Sequence, residues 1–170
     1  MDGDRFGNKT VRVIFLAAAL AAAVFCLAAS LRFSSAYGAE TSEAARAFGV
    51  DESLIRAIVF AESGYDNGAV SPAGASGLMQ LMPSTRAETS ERTGIDADGS
   101  PRSEIMLGTA YFAGLLRRFG DERAALAAYN AGPANARRWM ESGEEPYPET
   151  AAYIRRVLFA RKVYERVFIF

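Results

Sequence analysis

From residue 41 onward, apolar positions recur mostly at helical spacing. Leu54, Ile55, Ile58 and Val59 form one stripe in the segment 51–62, bounded by Asp51 as an N-cap and by Ser63-Gly64. Val50 and Ile55 stand at the spacing of a hydrophobic staple around that start. The clearest stripe covers 103–119, with Ile105, Gly108, Thr109, Phe112, Leu115, Leu116 and Phe119 on one face; Gly108 within it predicts a close helix approach. Shorter helices are predicted at 41–48 (closed by Gly49), from Pro83-Ser84-Thr85 to Gly94 and from Asp121 to about Tyr129. Two more are predicted around Trp139 and from about Glu149 towards the end. Thr85 and Glu88 have capping-box spacing. Residues 63–76 read as loop, because Gly64, Gly68, Pro72 and Gly74 break any regular pattern, and 95–102 as a polar linker. No alternating run of useful length suggests a strand. The expected fold class is mainly α, one domain with few or no strands.

The first forty residues follow a different pattern. Arg5, Lys9 and Arg12 precede a 19-residue apolar run, Val13 to Leu31, followed by Arg32 and the small residues Ser34-Ser35-Ala36-Tyr37-Gly38-Ala39. This describes an export signal, cut after Ala36 or Gly38, or an uncleaved anchor of membrane-spanning length. Cys26 follows Phe25 inside the run, which suits an apolar filler better than a lipid attachment site. The division expected is therefore 1–39 as signal peptide or anchor and 40–170 as the functional domain, placed in the periplasm or outside the cell. Membrane contact is expected only through the N-terminal segment. The apolar tail Val167-Phe168-Ile169-Phe170 is expected to dock against its own core.

Composition narrows the chemistry. Residues 1–39 carry four of the 19 basic and two of the 20 acidic groups, so the remainder holds 15 and 18, a formal charge of −3. That balance provides no broad basic footprint for nucleic acid. Beyond Cys26 there is no cysteine, and there is no histidine at all. Disulfides, cysteine or histidine nucleophiles and ordinary zinc sites are thereby excluded from residues 40–170, and no metal or other cofactor is expected. The reactive groups left are carboxyls, hydroxyls, amides and aromatic faces.

Glu62 is the carboxyl of interest. Counting on from the 54/55/58/59 stripe places it on the packed side, in the last turn of its helix. The negative end of the helix dipole and partial desolvation both disfavour the ionised form and raise its pKa. A carboxylic acid that stays protonated near neutral pH is what a general acid requires. Such a glutamate is ordinarily a solvated helix end, so the residues that follow it decide the matter. Gln80 lies inside Leu78-Met79-Gln80-Leu81-Met82 and must face a cleft or find a partner. Tyr129 and Tyr153 provide hydroxyl donors and flat aromatic faces. No second carboxyl is persuasively spaced to pair with Glu62; Asp66 and Glu88 are the nearest candidates.

The strings Glu62-Ser63-Gly64-Tyr65, Val70-Ser71-Pro72-Ala73-Gly74-Ala75, Gly77-Leu78-Met79-Gln80-Leu81-Met82-Pro83, Ala128-Tyr129-Asn130-Ala131-Gly132 and Glu149-Thr150-Ala151-Ala152-Tyr153-Ile154 occur in this order. The set resembles the catalytic domain of the soluble lytic transglycosylase (SLT) family, relatives of goose-type lysozyme, over roughly residues 42–165. The resemblance implies a lysozyme-like helical domain that cleaves the MurNAc-β-1,4-GlcNAc bond of peptidoglycan without water. It implies Glu62 as sole acid/base and Ser71 as a hydroxyl contacting the muramyl sugar. Gln80 and Met82 correspond to cleft-wall positions, while Gly77 and Gly74 let the backbone approach the glycan. Tyr129 corresponds to the tyrosine whose hydroxyl holds the glutamate, with Asn130 beside it and Tyr153 as the late tyrosine of the site. The chain departs from the family pattern at Glu104, where an amide usually helps fix a turn, and at Asn67-Gly68, where a proline-containing segment is more usual. A lysozyme-type hydrolase and a peptidoglycan-binding subunit of an envelope-spanning secretion apparatus are the alternatives. Glycan strands are the expected partner in each case.

Overall fold

The computed structural model describes Leu20 and residues 36–167. The expectations for most of the N-terminal segment and for the last three residues lie outside the described residues. Seven helices follow from Gly38 onward: α1 (Gly38–Phe48), α2 (Glu52–Ser63), α3 (Pro83–Thr93), α4 (Pro101–Phe119), α5 (Glu122–Ala131), α6 (Pro133–Ser142) and α7 (Pro148–Val167). Among the described residues no strand forms. Two isolated antiparallel bridges, Val70 with Ser76 and Ser76 with Leu81, pin the loop between α2 and α3. No described helix is long and apolar enough to cross a membrane.

Local chemistry sets most helix ends. Asp51 and Asp121 accept from Leu54 N and Ala124 N, relieving backbone donors that a helix start leaves unpaired. Glycines at 49, 64, 94, 120 and 143 close helices in the left-handed conformation, which costs glycine little. Val50 and Ile55 are both buried, as a staple requires. The capping box expected at Thr85 and Glu88 does not form. Pro83 has its φ pre-set for the first helical position, so the N-cap falls three residues earlier, on Met82, without a side-chain cap. Likewise α4 starts at Pro101, with Ser100 accepting from Ser103 N.

Packing arranges the helices around α4. It is flanked by α1, α3 and α5, while α2 packs chiefly on α7 and α5 also meets α6 and α7. Burial on α4 therefore spreads beyond the predicted stripe to Met106, Leu107 and Ala110. Ile55, Ile58, Leu78, Met79, Leu107, Phe112, Leu126 and Val157 form the centre of the core. Each such side chain contributes roughly 1.5–3 kcal/mol relative to exposure. Gly108 meets its expectation: a Cβ there would sit 2.6 Å from Met79 Cβ, so the bare backbone of α4 admits the 77–82 segment.

Candidate active site

Glu62 lies in the last turn of α2, one residue before its C-terminus. Ser63 Oγ donates to Val59 O at 3.2 Å and to Leu78 O at 2.9 Å, so the helix end is fastened to the segment that holds Gln80. Tyr65, the aromatic residue of the same motif, is buried. Its hydroxyl interacts with Arg56 O at 3.2 Å and with the Tyr164 hydroxyl at 3.0 Å, which binds the turn after Glu62 into the core between α2 and α7.

Glu62 keeps part of its residue surface open, yet desolvation dominates its carboxyl and pushes the pKa up to about 7. Tyr153 and then Arg156, both from α7, pull it down less strongly. The Tyr153 hydroxyl is buried and makes no bond of regular geometry, although it interacts with the Glu62 carboxyl. It faces the carboxyl as a donor without closing a regular hydrogen bond on it. Tyr129, from the last turns of α5, also feels the Glu62 charge, and burial holds its phenol well above the usual range.

The two tyrosines divide their work differently from the expectation. Tyr129 Oη donates its proton to Met79 O at 2.7 Å, so the hydroxyl expected to hold Glu62 holds the Gln80 segment instead. Tyr153 is the tyrosine whose hydroxyl remains for Glu62.

Gln80 finds partners within the protein. Its Nε2 donates to Ala69 O at 3.0 Å and to Gly77 O at 2.9 Å, which spends both amide protons on tying the loop together. The residue has φ of 46°, a left-handed backbone uncommon outside glycine. Ser71 sits at the other end of this loop, where its Oγ accepts from Ala75 N at 3.0 Å and its backbone N donates to Ala75 O. One bonded chain thus runs from Tyr129 through Met79 and Gln80 to Ala69 and the Ser71 turn. Gly77 is buried within it. Asn130 and Met82 are exposed at the end of α5 and the start of α3, and no hydrogen bond ties either side chain to Glu62.

Glu104 is not a turn residue. It is buried on α4, paired with Arg86, and a Cβ on Gly77 would run into its carboxylate. Arg86 Nη2 also donates to Ser76 O at 2.8 Å and Ser76 Oγ at 3.1 Å. A hollow of about 320 Å³ behind the loop is lined by Asn67, Val70, Ser76, Arg86, Asp98 and Glu104 among others, without Glu62. The other carboxyl candidates are occupied elsewhere: Asp66 accepts from Gly68 N at 2.8 Å, and Glu88 acts on Tyr111. Neither is among the groups that perturb Glu62. No group of acidic or cysteine side chains among the described residues could hold a metal ion.

Residues 40–150 match the family profile Transglycosylase SLT domain. The chain belongs to this family. A soluble lytic murein transglycosylase of Salmonella typhimurium is 35% identical over 156 residues, 81% of this chain and 24% of the relative. The SLT fold is equally evident in solved structures. The lytic transglycosylase Slt of Pseudomonas aeruginosa, studied as an inactive glutamate-to-glutamine mutant, superposes with a TM-score of 0.74 at 35% identity, covering 80% of this chain and 25% of that one. The 70-kDa soluble lytic transglycosylase of Escherichia coli gives 0.72 at 30% identity, with 78% and 24% covered. The chain therefore spans about a quarter of the length of these relatives. Its helical, lysozyme-like fold is that of the SLT domain.

Sequence reasoning missed Arg86 and Arg156. Arg156 carries one available signal, since it follows Tyr153 by three residues on a helix and must share part of its face.

Proposed function

We propose that this SLT domain is a peptidoglycan lytic transglycosylase with Glu62 as its single acid and base. The observation that carries the reading is a desolvated carboxyl with a pKa of about 7, faced by a buried tyrosine hydroxyl and perturbed by no second carboxyl. The names of the relatives, lytic murein transglycosylases, support murein as the substrate. The inactive glutamate-to-glutamine mutant of the Pseudomonas protein supports a glutamate as the reacting group.

In this mechanism the Glu62 carboxylic acid gives its proton to the oxygen bridging N-acetylmuramic acid and N-acetylglucosamine. The bond from C1 to that oxygen breaks with its electron pair going to oxygen, and the N-acetylglucosamine side leaves with a free hydroxyl. Glu62, now a carboxylate, takes the proton of the muramyl C6 hydroxyl while O6 bonds to C1. The acid is regenerated, a 1,6-anhydro sugar is formed and no water is consumed. Glycosidases that use water ordinarily need a second carboxyl for the base or nucleophile role. Ser71, Gly77, Gln80, Met82, Tyr129, Asn130 and Tyr153 form the proposed sugar-binding surface. In this role Gln80 and Tyr129 act mainly by shaping the loop.

The basic and apolar character of residues 1–39 supports export to the periplasm, where glycan strands are reached, with or without retention at the inner membrane. Digestion of purified sacculi followed by mass spectrometry tests the whole reading. Anhydromuropeptides are expected from the native chain and none from Glu62→Gln. Products heavier by one water, with reducing muramyl ends, would instead establish a hydrolase; sacculus binding without release would establish a binding subunit.

A further inference from the structure

Arg156 touches both elements that frame Glu62. Its Nη2 donates to Ala61 O at 3.1 Å, and its guanidinium carbon lies 5.7 Å from the centre of the Tyr153 ring. Ala61 immediately precedes Glu62 and contributes one of the terminal carbonyls that α2 leaves without a helical donor. The neighbouring carbonyl of Phe60 is already taken by Gly64 N. A cation at that end also opposes the negative pole of the helix, the pole at which Glu62 has to ionise.

We propose that Arg156 is the positioning residue for Glu62: it fastens the end of α2 to α7, lies over the ring of Tyr153 and sets a positive charge beside the carboxyl. This inference rests on the reading of Glu62 as acid and base. The groups that face Glu62 are Tyr153 and Arg156 from α7 and Tyr129 from α5. Two of them are neutral phenols at working pH, so among the described residues Arg156 is the full charge that acts on the carboxyl. Its effect acts on the second half of the reaction as well as the first. The proton has to leave Glu62 for the bridging oxygen, and the carboxylate that remains has to persist until the C6 hydroxyl delivers its own proton. A nearby cation makes that carboxylate accessible in a desolvated place. Because the guanidinium is exposed, solvent screens it and the effect is modest.

The test uses the full chain with carboxyl-labelled glutamate, followed by NMR titration of Glu62 and by the pH profile of anhydromuropeptide release. In Arg156→Gln the Glu62 midpoint moves upward and the alkaline limb of kcat/KM moves with it. Below that limb the rate falls about two- to fivefold, because a weaker acid is a poorer proton donor. Arg156→Lys retains most of the native midpoint, since it keeps the charge. Arg155→Gln, one residue away on the exposed side of α7, leaves both readouts unchanged. An unmoved midpoint and limb in Arg156→Gln would overturn the inference, as would an equal shift in Arg155→Gln. Full anhydromuropeptide release by Glu62→Gln would instead sink the assignment of Glu62, while the titration would still report whether Arg156 acts on its carboxyl.

Discussion

Glu104 and Arg86 form an ion pair directly behind the backbone of Gly77. Glu104 is only 3% exposed, and its second carboxylate oxygen has no partner among the described residues. Arg86 reaches past it to Ser76 on the same loop. Removing one member strands the other charge, which for a buried pair costs about 3–5 kcal/mol. Glu104→Ala and Arg86→Ala are each expected to lose stability of that order in urea denaturation. The double variant Arg86→Met/Glu104→Leu should lose far less, since apolar replacement of both partners removes the stranded charge. Equal losses in single and double variants would show that volume, not charge, sets the effect.

Glu62 trades stability for reactivity. Its folded pKa of about 7 lies above the ordinary value of 4.5, so its contribution is fully present below pH 4.5 and is lost as pH rises towards and through 7. Glu62→Gln, which never ionises, should therefore be more stable than the native chain at pH 8, by as much as about 3 kcal/mol. Thermal melts at pH 4 and pH 8 check this: the gap between the two proteins should close on acidification. A gap independent of pH would mean that the carboxyl is not perturbed.

The same titration governs activity. A reaction that begins with proton donation needs Glu62 protonated, so kcat/KM for sacculus digestion should decline as pH rises through about 7. A rate that continued to rise above pH 8 would contradict donation by this group.

Tyr153 and Tyr129 should separate cleanly when each loses its hydroxyl. Tyr153→Phe removes a group with no regular bond, so stability changes little; Glu62 titrates higher and turnover falls roughly tenfold or more, the worth of one bond to a charged group. Tyr129→Phe leaves Met79 O without its donor and should lose about 1–3 kcal/mol of stability. Denaturation and turnover measured on both variants decide the point, and the assignment fails if the two profiles are interchanged.

Gly108→Ala forces a methyl group against Met79, whose carbonyl is the acceptor for Tyr129. A loss of about 1–3 kcal/mol is expected from overpacking, together with reduced turnover from the displaced loop. Alanine in place of Gly114, where the nearest atom is an arginine terminus at 3.5 Å, serves as the tolerated comparison in the same melts.

Much of this protein is written in short-range chemistry. Asp51, Asp121 and the closing glycines define helix ends through groups a few residues away, and the stripe at 54, 55, 58 and 59 places Glu62 on the packed side of a helix terminus. Those relations depend on the helical repeat alone, so they are legible without a structure. The other determinants join distant segments. Tyr153 faces a carboxyl from another helix, Arg156 caps that helix across the same interface, and Glu104 disappears beneath a glycine beside Arg86. Even the burial of α4 exceeds its stripe, because helices approach it from more than one direction. Periodicity tells which face of a helix is buried but not which residue of another helix meets it. That choice is made by packing, which left the Tyr153 hydroxyl facing Glu62 and turned Tyr129 towards Met79.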